Sequence, residues 1–282
     1  MSFVLMLITN NPAIAEEADR AGVDRIFLDF EILGKYERQG HLDTHIAQHN
    51  LEDIGKIKNV VTRSKIISRI NPLNKNTKKE IEKVIKYGTD IVMLPMYRNA
   101  EEVEKFVGYV GGRAKTCLLL ETAQAMVRID DTLEVGGIDE IHIGLNDLHL
   151  SLGLDFMFEP LSGGIVEYLG NKIRNKKIRW GFGGIAQIGE GILPAEFIIG
   201  EHIRLGSEMA ILSRTFKNKN KNLAGETKKI RERINESKKW DIAKLRKNKM
   251  NVRILVNGIV NELKKSGKPI FSPASTESHN HN

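Results

Sequence analysis

The sequence predicts an α/β protein, and within that class a (β/α)8 TIM barrel with helices appended at its C-terminal end. Three observations carry this. Short β-rich runs alternate with helical stretches eight times within about 215 residues, the pattern of a parallel sheet with crossover helices, and eight such units close a barrel. The first run is continuously apolar, as in a strand buried on both faces. The first strand-to-helix turn reads Thr-Asn-Asn-Pro and lacks the glycines that an open doubly wound sheet usually carries there.

The elements follow in order. Phe3–Thr9 is the first strand. Asn11-Pro12 supplies an N-cap and a proline at the first helical position, for a helix reaching about Ala21 and ended by Gly22. Arg25–Asp29 is the second strand and Lys65–Arg69 the third, stopped by Asn71-Pro72. Thr77 and Glu80 form a capping-box pattern for a helix to about Tyr87, ended by Gly88. Asp90–Leu94 is the fourth strand. Asn99, with Glu102 three positions on, opens a helix to about Val110. Thr116–Leu120 is the fifth strand and Glu140–Ile143 the sixth, with a helix near Ala123–Leu133 between them. Trp180–Gly184 reads as the seventh strand and Ile203–Leu205 as a short eighth before Gly206.

Two segments depart from the alternation. Ile32–Asn50 is a long polar insertion after the second strand, with Lys35, Tyr36, His41, His45 and His49. A loop of that length at the C-terminal end of a strand is more often functional than filler. The division expected is a barrel over residues 1–216, a basic helical extension over 217–268 and a disordered Ser/Asn/His-rich tail over 269–282.

Composition excludes several classes. With 41% hydrophobic and 28% charged residues the chain is globular and not disordered throughout. No window approaches the ~18 consecutive apolar residues of a membrane span. The apolar start lacks the basic flank and small-residue cleavage site of a signal peptide. The single cysteine, Cys117, forbids an internal disulfide, so a cytoplasmic protein is expected. The net charge of +7 comes from the tail: residues 217–250 hold 13 Lys/Arg against 4 Asp/Glu. Ile230, Ile234, Ile242 and Leu245 recur among those charges, so one stripe packs. The readings are an arm that joins a neighbouring copy into a homo-oligomer, a solvated helix, or a site for an anionic polymer such as nucleic acid or a membrane surface. The apolar stripe favours the first.

In a barrel the chemistry sits at the C-terminal ends of the strands. That rule selects Asp29 and Glu31 after the second strand, Arg69 at the end of the third, Glu121 after the fifth and Asp147 after the sixth. Carboxylates aimed into one mouth repel unless a cation or proton lies between them. Hard oxygen ligands that leave room for water and substrate suit Mg²⁺ or Mn²⁺. Glu121 and Asp147 have a competing use as helix caps. Arg69 ends the apolar run Lys-Ile-Ile-Ser-Arg, and its guanidinium fork matches a carboxylate or an enolate oxygen; an internal salt bridge to Asp29 or Glu31 is the alternative. Gly181, Gly183, Gly184 and Gly206 either present backbone N–H groups to a phosphate or make tight turns.

These residues fall in blocks. Ile-Ser-Arg69-Ile-Asn, Val92-Met-Leu-Pro95-Met, Leu-Leu-Glu121-Thr-Ala and Gly144-Leu-Asn-Asp147-Leu-His-Leu-Ser-Leu-Gly153 occur in this order. Together they resemble the 2-oxo-acid aldolase / citrate lyase beta-subunit family of the phosphoenolpyruvate/pyruvate-binding barrel superfamily, from about Asp24 to Arg214. The resemblance implies a divalent metal held by Glu121 and Asp147. It implies a pyruvate-like 2-oxo acid held by the metal and Arg69, its carboxylate received by backbone N–H groups around Gly144, Asn146 and Asp147. The implied reaction is a metal-dependent carbon–carbon lyase, a class II type aldolase working through an enolate, whose developing charge Mg²⁺ and Arg69 would stabilise.

The chain departs from that family after the second strand. The aldolase branch has Asp-x-Glu-His there, with the histidine as base; this chain has Asp29-Phe-Glu31-Ile32. The second acidic residue of the citrate-lyase branch is also absent. His49, just before the helix Leu51–Lys58, is the expected replacement base. The alternatives are an acyl-CoA lyase of citryl- or malyl-CoA type, and a non-catalytic barrel that binds an anionic metabolite.

Overall fold

A computed structural model describes residues 2–34, 49–217 and 222–266. His41, His45 and the tail after Ser266 lie outside the described residues.

Eight parallel strands close into a barrel in sequence order: β1 (Val4–Ile8), β2 (Arg25–Asp29), β3 (Lys65–Arg69), β4 (Ile91–Leu94), β5 (Lys115–Leu120), β6 (Glu140–Ile143), β7 (Arg179–Ile185) and β8 (Met209–Leu212). Closure is the pairing of β1 with β8, Val4 opposite Met209 through Leu7 opposite Leu212. The helices between them are α1 (Pro12–Arg20), α2 (Leu51–Lys58), α3 (Thr77–Lys86), α4 (Ala100–Val110), α5 (Ala123–Val127), α6 (Ile129–Glu134), α7 (Leu145–Ser151), α8 (Glu159–Ser162), α9 (Ile165–Asn175) and α10 (Ala195–Leu205). Two more follow the barrel, α11 (Leu223–Ser237) and α12 (Ile242–Ser266). Among the described residues no helix is long and apolar enough to cross a membrane.

The eighth strand is not at Ile203–Leu205. Those residues are the last turn of α10, which Gly206 ends with a left-handed φ of 69°. β8 begins three residues later. The Thr77–Glu80 pattern also acts differently from a capping box. Thr77 is the first helical residue, and its hydroxyl accepts the Asn74 N–H. Glu80 instead accepts from the backbone and side chain of Asn71, pinning the loop that leaves β3. Asn11 and Asn99 cap α1 and α4 as expected, accepting N–H groups of the first turn.

Side chains alternate across each strand, so residues two apart share a face. Val4, Met6, Phe27, Ile67, Ile91, Met93, Cys117, Leu119 and Met209 pack together inside the barrel. Their neighbours in sequence, among them Leu5, Ile26, Ile66, Val92 and Leu118, face the helices. The inner set fixes what comes next on the same face. Following Phe27 inward gives Asp29, following Ile67 gives Arg69, and following Leu119 gives Glu121. At the other end Arg25 and Glu140 make a buried pair, Nη2 to Oε1 at 2.6 Å. The interior is therefore a packed core, open for chemistry only at the top.

Candidate active site

The registers set the polar residues level with one another. Asp29 lies opposite Arg69 on the β2–β3 pair, and β5 and β6 run in step to Leu120 opposite Ile143. Glu121 follows directly, and Gly144 donates its N–H to the Leu120 carbonyl. The mouth is built from Asp29, Glu31, Arg69, Glu121 and the start of α7 at Asp147.

Arg69 is gripped from the side. Its Nε donates to Asp29 Oδ1 at 2.9 Å and its Nη2 to Asp29 Oδ2 at 2.7 Å. Glu31 Oε2 lies 3.3 Å from the same Nη2. The Phe27 ring lies beneath, its centroid 5.7 Å from the guanidinium carbon. Burial alone would favour loss of the proton. Asp29 first, then Glu31, and beyond them Glu121 outweigh it and hold the pKa above the ordinary arginine value. The internal salt bridge and the place in the mouth, written above as alternatives, thus coexist. Removing one member of a buried pair of this kind costs about 3–5 kcal/mol.

The loop after β2 is tied to the loop after β3. Asn71 Oδ1 accepts the N–H groups of Ile32 and Leu33, each at 2.9 Å. Glu80 holds Asn71 in turn. This chain of bonds sets Glu31 over Arg69. Sequence reasoning treated Asn71-Pro72 as a strand stop only; an Asn six residues before a helix start carries no sign of its partner 39 residues away.

Glu121 and Asp147 are both buried, 2% and 6% exposed. Glu121 is not a helix cap, since Thr122 caps α5; its Oε1 accepts the Met96 N–H at 3.2 Å. Asp147 is not an N-cap either. α7 starts earlier, at Leu145, with Gly144 in the cap position, which puts Asp147 in the first turn. Gly144 is where the backbone passes the Glu121 side chain: a Cβ there would lie 2.6 Å from Glu121 Oε2. These residues fit a hard divalent cation. They offer carboxylate oxygens, in a mouth holding four carboxylates to one guanidinium. Among the described residues no group of three or more His, Cys, Asp or Glu could hold a metal ion. An ion held by two carboxylates would complete its shell with water and substrate, as Mg²⁺ commonly does.

His49 stands elsewhere. Its Nδ1 accepts the Asp29 backbone N–H at 2.8 Å, and its ring meets Phe30 edge-on at 6.4 Å. It lines a cavity of about 370 Å³ with Leu51, Ile70, Asn71, Glu80 and Lys83. Accepting through Nδ1 puts the neutral proton on Nε2. To take a second proton at Nδ1 the ring must give up the Asp29 N–H; in this arrangement His49 fixes the end of β2. Ile32, at the position of the resembling family's histidine, is 68% exposed.

A sequence model of HpcH/HpaI aldolase/citrate lyase matches residues 2–157. That span is more than half of the chain and contains Asp29, Arg69, Glu121 and Asp147. The chain belongs to the HpcH/HpaI aldolase/citrate lyase family. No curated protein matches it in sequence. Solved structures share the fold. The HpcH/HpaI aldolase from Desulfitobacterium hafniense DCB-2 is 18% identical with a TM-score of 0.59, over 75% of this chain and 86% of that one. A family protein from Burkholderia cenocepacia J2315 is 12% identical with a TM-score of 0.59, over 83% and 94%. The citrate synthase SbnG is 16% identical with a TM-score of 0.59, over 81% and 94%. The family match ends within the loop after α7, so β7, β8 and the two C-terminal helices lie beyond it.

Proposed function

We propose that this HpcH/HpaI family member is a divalent-metal-dependent carbon–carbon lyase of the aldolase type, acting on a pyruvate-like 2-oxo acid through its enolate. The observation that carries the reading is Arg69 at the barrel mouth within the electrostatic reach of Glu121, with Asp147 buried on the next strand–helix turn. Glu121 and Asp147 would hold Mg²⁺ or Mn²⁺, which when bound supplies Lewis-acid polarisation of the 2-oxo group.

The chain's own residues do the rest. Breaking a carbon–carbon bond next to a carbonyl leaves negative charge on the enolate oxygen, and a fixed guanidinium stabilises that charge without reorganising. Gly144 spends its N–H on the Leu120 carbonyl; the N–H groups of α7 that follow, at Asn146 and Asp147, have no carbonyl one turn earlier to bond and would receive the substrate carboxylate. The packed barrel interior below Arg69 shuts water out from beneath. No lysine is required, because the enolate is held as an oxyanion and not as an enamine.

The test separates enolate formation from the full reaction. Exchange of the pyruvate methyl protons in deuterated water, with Mn²⁺ present, reports the enolate alone. Wild type should exchange. Glu121→Gln and Asp147→Asn should lose both exchange and Mn²⁺ affinity by calorimetry while unfolding at a temperature close to wild type. Unchanged Mn²⁺ affinity in both variants removes the metal from the reading.

A further inference from the structure

Among the described residues two non-glycine residues have a left-handed backbone, Met96 at φ 55° and Lys177 at φ 59°. Lys177 lies in the turn before β7, at the end of the barrel opposite the mouth. Met96 lies at the mouth, two residues past β4. A long side chain is disfavoured in that region, so the conformation persists only where its surroundings fix it, and such residues gather at functional sites. Here it is fixed from both sides. Before it, Pro95 is buried and holds its own φ. After it, Tyr97 is 1% exposed, and its carbonyl accepts the Thr122 hydroxyl at 2.8 Å. Between these anchors the Met96 N–H donates to Glu121 Oε1 at 3.2 Å. The loops after β4 and β5 are thereby joined by two adjacent bonds, one of which ends on a carboxylate of the mouth.

We propose that Met96 is a positioning residue whose left-handed backbone aims an N–H at Glu121 Oε1 and so orients Glu121 for the cation. The proposal rests on the metal reading above. Glu121 is 2% exposed. Its Oε2 lies beside Gly144, where a Cβ would come within 2.6 Å, and Gly144 opens the helix that carries Asp147. With Oε1 bonded to Met96, Oε2 is the oxygen on the Asp147 side. A carboxylate ligand already oriented through its other oxygen loses little freedom when an ion arrives. With Tyr97 held, an ordinary negative φ at Met96 would turn the Pro95–Met96 peptide, and its N–H, away from Glu121. What the site needs from position 96 is thus the backbone conformation and not the thioether.

Two substitutions separate backbone from side chain. Glycine adopts a left-handed φ without strain; valine, branched at Cβ, does not. Met96→Gly should bind Mn²⁺ as wild type does by calorimetry. Met96→Val should fold, by circular dichroism, and raise the Kd for Mn²⁺ ~10–100-fold, the usual effect of removing a hydrogen bond behind a metal ligand. Equal affinity in Met96→Val and wild type overturns the proposal, and leaves the metal reading standing if Glu121→Gln still loses the ion. An equal loss in Met96→Gly and Met96→Val also overturns it, because the side chain would then be what matters. Amide exchange of metal-free, full-length wild type, followed by NMR, tests the bond whether or not a variant folds. The Met96 N–H should exchange slowly, and exchange at the rate of an open loop overturns the proposal. A slow Met96 N–H in a wild type that binds no Mn²⁺ would instead sink the metal reading and, with it, any role for Met96 toward a cation.

Discussion

His49 accepts the Asp29 N–H through Nδ1 at 2.8 Å, and that bond decides what the imidazole can do. A base in aldol cleavage must carry a lone pair toward the alcohol. Here the lone pair is spent on the backbone of β2. The expected effect of His49→Ala is a loss of turnover of about tenfold or less, transmitted through the end of β2, where removal of a true base costs ~10²–10⁴-fold. Steady-state cleavage rates of a 4-hydroxy-2-oxo acid check this, and a loss within the larger range would restore His49 as the base. The placement of Arg69, Glu121 and Asp147 at the barrel mouth was legible in the sequence, because barrel strands name their own ends. The bond that removes His49 from solution chemistry was not, because it joins residues 20 apart across an insertion.

Between elements, α9 packs tightly on β7. A Cβ at Gly170 would lie 2.2 Å from the Trp180 ring, which is 1% exposed. Gly170→Ala would gain ~1 kcal/mol of helix propensity and yet is expected to destabilise by about 1–3 kcal/mol, because the ring has nowhere to move. Urea unfolding measures it, and pairing the change with Trp180→Phe should recover part of the loss. A stabilised Gly170→Ala would mean that the helix stands off the strand. The same scale shows where sequence reading stopped. β2, β3 and β6 fall on the expected residues, since each is a short run with a clear stop. β8 does not. The run Phe197-Ile-Ile-Gly-Glu-His-Ile-Arg-Leu205 mixes apolar and charged residues around a glycine, and periodicity over three residues cannot tell a helix end from a strand. Gly200 is there for packing: a Cβ would lie 2.6 Å from the Asn248 side chain of α12. Only α12 explains it, and α12 is 48 residues on. Thr77 and Glu80 fit the capping pattern and serve the preceding loop instead, a choice made by where β3 ends and not by the helix.

For the molecule as a whole, buried histidines tie stability to pH. His142 lies inside the barrel on β6 and is 1% exposed; burial pulls its pKa down to about 4, with its bond to the Gly183 carbonyl opposing. His202 stacks on Phe182 at 3.8 Å between β7 and α10, and burial, then His142, pushes it well below the usual value. A histidine whose folded pKa is lowered binds its proton in the unfolded chain first. Stability is therefore complete above about pH 6.5 and falls as pH drops below it. The slope is ~1.4 kcal/mol per pH unit for each histidine; for His142 it ends near pH 4, where the folded form protonates too. Carboxylates act in a lower window. Glu167, held down to about 2 chiefly by Arg204, loses its contribution only as pH falls from about 4.5 to 2. Between pH 7 and 5 the two histidines are thus expected to remove about 3–4 kcal/mol from the unfolding free energy. His202→Phe keeps the apolar stack and removes one titrating group, so its slope from pH 6 to 5 should be shallower by ~1.4 kcal/mol per unit. Urea unfolding of both proteins at pH 7, 6 and 5 reads the difference, and parallel slopes would show that His202 takes up its proton in the folded barrel as readily as in the unfolded chain.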